Sequence, residues 1–261
     1  MKYQDIIYYE DELNDDFATT VKKIKPLPDN YKFISNNFLV KIFEFIGYRM
    51  LMIPFAFIYC KIKFNYKIKN KKILKQIKNG YFIYGNHTTV LGDAFLPNLV
   101  SFKTKNHIIT GKQANSLTFI LPILRAVGAL PLSENINHKK KLLKSINKLI
   151  SKNKSITIFP EAHVWPYYTD IRPFTSDSFK YAVRLNAAVV SMTTCFQKRK
   201  FFKTPKIIIY LDGPYYPDEN LTINENAQLL RNKVYDSMKE NCKKYSTYSY
   251  FTYINKNQNK I

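Results

Sequence analysis

From Asn70 to Leu211, short apolar runs alternate with segments of helical periodicity, and few folds accept that alternation. Runs at Tyr81–Tyr84, His107–Thr110, Ala129–Leu132, Ile156–Phe159, Ala188–Thr194 and Lys206–Leu211 read as strands. Helices are expected at Lys71–Lys78 (closed by Gly80), Gly92–Val100, Asn137–Ser151, Ser176–Leu185 and Asn224–Lys243. Another is expected over Asn115–Val127, interrupted near Pro122. Strands joined by helices define an α/β fold with a mostly parallel sheet flanked by helices on both faces. There are no internal repeats and no linker after residue 70. The chain therefore divides into an N-terminal region, 1–69, and an α/β domain with a C-terminal helix, 70–261. An aromatic stretch and a polar tail, Asn255–Ile261, close it.

The N-terminal region opens with an acidic stretch to Asp16 that lacks the apolar core of a signal peptide, then a basic loop with Pro26 and Pro28. Phe38 to Cys60 is apolar but interrupted by Lys41, Glu44, Arg49 and Pro54. A spanning helix needs about 20 mostly uncharged residues, so the pattern suits one or two helices lying in a membrane interface and preceding the sheet. A buried helix pair would give the same pattern. Lys61, Lys63, Lys67, Lys69, Lys71 and Lys72 follow, which favours an anionic membrane surface.

A net charge of +22 attracts polyanions. The lysine, Asn, Ile and Tyr that carry this bias also arise from AT-rich coding. Nucleic acid is not the expected partner, because no recognisable binding module gathers the basic residues. Seven glycines are too few for a glycine-rich nucleotide cradle. Cys60, Cys195 and Cys242 form no metal or redox spacing, which points to a reducing compartment.

In parallel sheets, active groups gather beyond the carboxyl ends of strands. Two ends here are chemically loaded. Gly85-Asn86-His87, with Asp93 six residues on, offers an imidazole and a carboxylate to orient it, a general-base unit. A cap and a surface polar group would look the same. Phe159-Pro160-Glu161 places a carboxylate straight after a buried strand, where proline fixes the backbone. Its plainer reading is an acid satisfying a helix start.

Taken together these pieces resemble the PlsC-type glycerolipid acyltransferases. That family shows four blocks in order: Asn-His, four residues, then Asp; a lysine stretch leading to a Gly-Ala-Ile-Pro-like strand; Phe-Pro-Glu-Gly; and an apolar strand. Here they correspond to Asn86-His87 with Asp93, to Lys112 through Gly128-Ala129-Leu130-Pro131, to Phe159-Pro160-Glu161-Ala162, and to Val189–Thr194. The likeness covers about residues 38 to 212. Three departures accompany it. Five residues separate His87 from Asp93, with Gly92 the extra one, which turns an acid on a helix by about 100° unless the turn is irregular. The third-block arginine is replaced by Val164. Ser133-Glu134 stands where the second block usually carries arginine.

The resemblance implies a membrane-associated O-acyltransferase of phospholipid synthesis, peripheral or monotopic on the cytoplasmic face. It takes acyl-CoA or an acyl-carrier-protein thioester as co-substrate, with no bound cofactor and no metal. The acceptor is a lysophospholipid, 1-acylglycerol-3-phosphate first and glycerol-3-phosphate as the alternative. His87 acts as base with Asp93 holding its ring, and Gly85 or Gly111 offers backbone N–H groups to the oxyanion. Asn86, Lys112, Glu161 and Arg172 are the expected substrate-binding residues, Arg172 standing in for the missing arginine, with Lys180 a weaker candidate. Two rivals remain at this stage: a metal hydrolase using His87, Asp93, Glu161 and His163, and a basic lipid-surface protein without catalysis.

Overall fold

The computed structural model describes residues 5–17, 24–116 and 118–259. Met1 to Gln4, most of the basic stretch before Ile24, and the last two residues of the expected polar tail lie outside them. In chain order, β1 (Ile6–Tyr9) precedes a long helical stretch: α1 (Phe38–Ile46), a wide turn at Gly47–Met52, and α2 (Ile53–Phe64). Next come β2 (Lys67–Lys69), a 3₁₀ turn at Lys71–Gln76, β3 (Tyr81–Gly85), α3 (Gly92–Val100) and β4 (Asn106–Thr110). They are followed by α4 (Leu121–Ala126), β5 (Ala129–Pro131), α5 (Ile136–Ser151) and β6 (Ser155–Ile158). The last third holds α6 (Lys180–Arg184), β7 (Ala188–Gln197), β8 (Lys206–Tyr215), α7 (Ile223–Tyr245) and β9 (Thr252–Asn255).

The expected fold class holds. Seven strands form one sheet in the order β2-β8-β7-β3-β6-β4-β5. The strands from β7 to β5 are all parallel. Side chains of β3 alternate between two buried faces, as strand geometry requires. Phe82 and Tyr84 pack with Ile146, Leu149 and Ile150 of α5 and Leu230 and Val234 of α7. Tyr81 and Ile83 pack with Leu96 and Leu99 of α3 and Met52, Ala56 and Cys60 of the long helix.

Several local expectations change. β8 runs antiparallel to β7, and β2 joins the edge parallel to β8. β1 and β9 form a separate two-stranded parallel sheet. The expected helix at Lys71–Lys78 is a 3₁₀ turn ending at Gln76 with no buried residue, since a lysine-rich segment this short has too little to pack. Over 115–127 the only α-helix among the described residues is α4, with Pro122 in its first turn, where a missing N–H costs least. The 176–185 helix shortens to α6 behind a 3₁₀ turn at Asp177–Phe179.

The apolar N-terminal segment is one continuous helix rather than a pair broken by proline. Pro54 sits in the first turn of α2, and Ile53 N–H reaches back five residues to the Tyr48 carbonyl. That wider turn absorbs the donor that proline lacks. Phe38–Phe64 is long and apolar enough to cross a membrane, by length and composition. Only one side docks: Tyr48, Met52, Ala56, Cys60 and Phe64 are buried at spacings of four, while Phe43, Met50, Leu51, Phe55, Ile58 and Ile62 are exposed. The charges within it are partly neutralised in place. Glu44 accepts from Arg125 Nε at 2.9 Å and lies 3.9 Å from Lys105 Nζ, and Arg49 donates to the Phe102 and Lys103 carbonyls.

Candidate active site

β3 and β6 are neighbours, with Tyr84 opposite Ile158, so the two chemically loaded strand ends lie side by side. His87 leaves β3 and Asp93 sits in the first turn of α3. His87 Nδ1 lies 2.7 Å from Asp93 Oδ2. The six-residue spacing therefore preserves the contact, because His87 is not on the helix. Residues 87–91 form an irregular turn and the helix starts at Gly92. Glycine is required there for space: a Cβ on Gly92 would meet Thr89 Oγ1 at 2.2 Å.

Asp93 is 2% exposed. Its Oδ2 also accepts from the backbone N–H of Thr88 (2.8 Å) and of Thr89 (2.9 Å), and its Oδ1 from Thr89 Oγ1 (2.7 Å). So many donors fix the carboxylate in place. The His87 ring stacks on Phe159 with centroids 4.5 Å apart. Nδ1 is occupied by Asp93, which leaves Nε2 as the free ring nitrogen. His87 lines a cleft of about 480 Å³, with Val90, Thr110, Gly111, Leu132, Phe159 and Tyr181 among its walls. Gly85 is not in that wall; a Cβ there would meet Met192 and Phe159 at 2.9 Å. Of the two glycines expected near a developing oxyanion, only Gly111 borders the cleft.

Three of the expected substrate-binding residues are buried and do not line the cleft. Asn86 is fully buried and spends its amide on Thr194, Nδ2 donating to the carbonyl at 3.1 Å and Oδ1 accepting from N–H at 2.7 Å. It extends the pairing between β3 and β7 beyond the last strand residue. Glu161, 4% exposed, accepts from the backbone N–H of His87 at 2.9 Å and of Arg172 at 3.0 Å. Burial pushes its carboxyl above the usual range, against the pull of Arg172 and the two amides. Arg172 is 1% exposed; its guanidinium meets Glu161 (3.4 Å), the Glu12 carbonyl (3.2 Å) and the His163 carbonyl, and lies over the Trp165 ring. An arginine so enclosed offers no fork to a substrate phosphate. Lys112 follows Gly111 but pairs with Glu134, and Lys180 pairs with Asp177 at 3.0 Å.

The third-block loop clamps the first. Trp165 N–H donates to the His87 carbonyl at 3.1 Å and Tyr167 N–H to the Thr88 carbonyl at 2.8 Å. Trp165 is buried against Tyr253 of β9 and Tyr9 of β1, which ties the small sheet to this loop. Ala162 occupies the glycine position of the third block at φ +64°. Reading the sequence missed the hydroxyls of Thr110 and Ser178. Both residues line the cleft, and both hydroxyls are buried with no hydrogen-bond partner among the described residues. Their positions at the last residue of β4 and just before α6 were the only available signal.

Among the described residues, no three His, Cys, Asp or Glu side chains converge as a metal site would need. His163 lies 3.4 Å from Asp16 and Glu161 against Arg172, so the four groups of the hydrolase reading do not share a centre.

A mostly parallel α/β sheet with a His–Asp pair at adjoining strand ends is the architecture on which the comparisons fall. Residues 65–194, which run from β2 into β7, match the family model described as Acyltransferase. The PlsC-type resemblance extends to the fold. The chain is similar to the crystal structure of the 1-acyl-sn-glycerophosphate acyltransferase PlsC from Thermotoga maritima, with a TM-score of 0.53 at 15% identity over 82% of this chain and 87% of that one. No curated protein sequence matches.

Proposed function

We propose that this protein is a membrane-associated O-acyltransferase. It moves a fatty acyl group from an acyl-CoA or acyl-carrier-protein thioester to the free hydroxyl of a lysophospholipid, with 1-acylglycerol-3-phosphate the first acceptor to test. The observation that carries the reading is the 2.7 Å His87–Asp93 contact at the wall of the cleft, inside the span that matches the acyltransferase family model.

His87 Nε2 takes the proton of the acceptor hydroxyl as its oxygen attacks the thioester carbonyl. The C–O bond forms, the C–S bond breaks, and the proton passes on to the departing thiolate. Asp93 holds the ring by Nδ1 and stabilises the imidazolium; base catalysis of this kind contributes about 10²–10⁴-fold. The backbone N–H at Gly111, which borders the cleft, stabilises the developing oxyanion in this reading. Thr110 and Ser178 offer hydroxyls to the acceptor, and Lys112, released from Glu134, offers it a cation. Glu161 and Arg172 position the His87 backbone rather than touch substrate. The bare face of Phe38–Phe64 supports seating in a membrane interface, on the cytoplasmic side where thioester donors are found.

The test incubates purified protein with acyl-CoA or acyl-carrier-protein donor and a panel of lysolipids and glycerol-3-phosphate, with products read by mass spectrometry. Acylation of at least one acceptor, abolished in His87→Ala, is the expected result. Absence of product with every acceptor, where a control enzyme works, overturns the reading.

A further inference from the structure

At the amino end of β3, the opposite end of the sheet from His87, a second cleft of about 460 Å³ opens between the Lys71–Gln76 turn and the end of α3. Its apolar lining is Leu74, Ile77, Val100 and Phe102, and its rim carries Lys71, Lys72, Lys75, Lys78 and Lys103. No acid lines it. Between Glu44 and Glu134 the chain has thirteen Lys and Arg residues and a single acid, Asp93, which is engaged with His87. None of the five rim lysines has a carboxylate partner among the described residues. Lys71 donates to the Leu99 carbonyl at 3.0 Å, and burial pulls its pKa down. An anion in the cleft would relieve this crowding of like charge.

The cleft also adjoins the apolar face of the long helix. Phe102 is 54% exposed at its edge, and Arg49 of the helix bonds the Phe102 and Lys103 carbonyls. Phe45 and Met50, on either side of Arg49 in sequence, are exposed. A free phosphate would use the lysines and leave the apolar lining wet; an amphiphile uses both. We propose that this cleft binds an anionic phospholipid, headgroup to the lysine rim and upper chain against Leu74, Ile77 and Phe102, at a site separate from the acyl-transfer cleft.

The test uses the full chain and does not depend on acyl transfer. Binding to phosphatidylcholine vesicles with and without phosphatidylglycerol is compared for two charge-matched variants. One is Lys75→Glu/Lys78→Glu/Lys103→Glu in the rim; the other is Lys139→Glu/Lys140→Glu/Lys144→Glu on the exposed surface of α5. The rim variant should lose about 30-fold or more in affinity for the anionic vesicles, and the α5 variant less than about fivefold. Equal losses would mean that diffuse charge alone holds the protein, and would overturn the proposal. Calorimetry on the unmodified protein gives a second readout that needs no variant. Dihexanoylphosphatidylglycerol should bind saturably, one per chain, and at least about tenfold more tightly than inorganic phosphate. Equal binding of the two would assign the cleft to a free anion instead. Loss of oligonucleotide binding in the rim variant with vesicle binding intact would assign it to nucleic acid and equally overturn the proposal.

Discussion

Two buried carboxylates, Asp93 and Glu161, stand on adjoining loops and are put to different use. Both are almost fully enclosed and both accept several hydrogen bonds. Asp93 faces a titratable ring that is 20% exposed and lines the cleft. Glu161 faces a permanent cation and backbone amides, and does not line the cleft. In the proposed mechanism the first assists a group that exchanges protons; the second joins the loop after β3 to the loop after β6. Burial alone therefore does not mark a catalytic acid. What distinguishes the two is whether the partner can change its charge and meet substrate.

The comparison is broken most sharply at His87. His87→Ala should lower kcat by about 10²–10⁴-fold with thermal stability little changed, measured by product formation and by melting. Arg172→Leu should do the reverse in kind. It strands Glu161 as an unpaired buried charge and should cost about 3–5 kcal/mol of stability, read by urea unfolding. Equal loss of activity at unchanged stability would instead put Arg172 beside the substrate.

Proton linkage gives the next test. Glu161 has its pKa raised on folding, so between its ordinary and raised values the folded state binds more protons than the unfolded. Its contribution is greatest below the ordinary carboxylate range and declines as pH rises through the raised value. Glu161→Gln should flatten that decline in unfolding curves taken across pH. The smallest effect concerns Ala162 on the same loop. A left-handed backbone costs a non-glycine residue about 1 kcal/mol, so Ala162→Gly should raise stability by roughly 0.5–1 kcal/mol, visible in the urea midpoint. A drop would mean that the alanine methyl is used in packing.

Much of this site was legible because strand ends carry their chemistry in consecutive residues. Gly85-Asn86-His87 and Phe159-Pro160-Glu161 announce themselves at the close of apolar runs, and the parallel sheet places them together. The partners chosen across long separations were not legible. Asn86 meets Thr194 through the register of β3 and β7, 108 residues apart, which nothing local encodes. Arg172 reads as a loop cation; its burial depends on Glu12, Glu161 and His163 converging on it. Gly92 was legible as the place where the turn departs from a helix, but its cause is crowding against Thr89 rather than conformational freedom. β1, β2 and β9 escaped notice because each has four residues or fewer and none is buried. Pro54 suggested a break where the backbone instead widens by one residue.

The residue that clamps the His87 carbonyl is Trp165, the chain's single tryptophan. It is wholly enclosed, stacked at 5.0 Å on Tyr253 and covered by the Arg172 guanidinium at 4.9 Å. The protein thus carries one indole among 20 tyrosines, and it sits on the loop that holds the His87 backbone in place. When it is excited at the red edge of its absorption, where tyrosine does not absorb, its emission reports on that loop with no second indole in the chain. Loosening of the clamp, by a ligand entering the cleft or by loss of the small β1–β9 sheet, will register as a red shift before the main sheet unfolds.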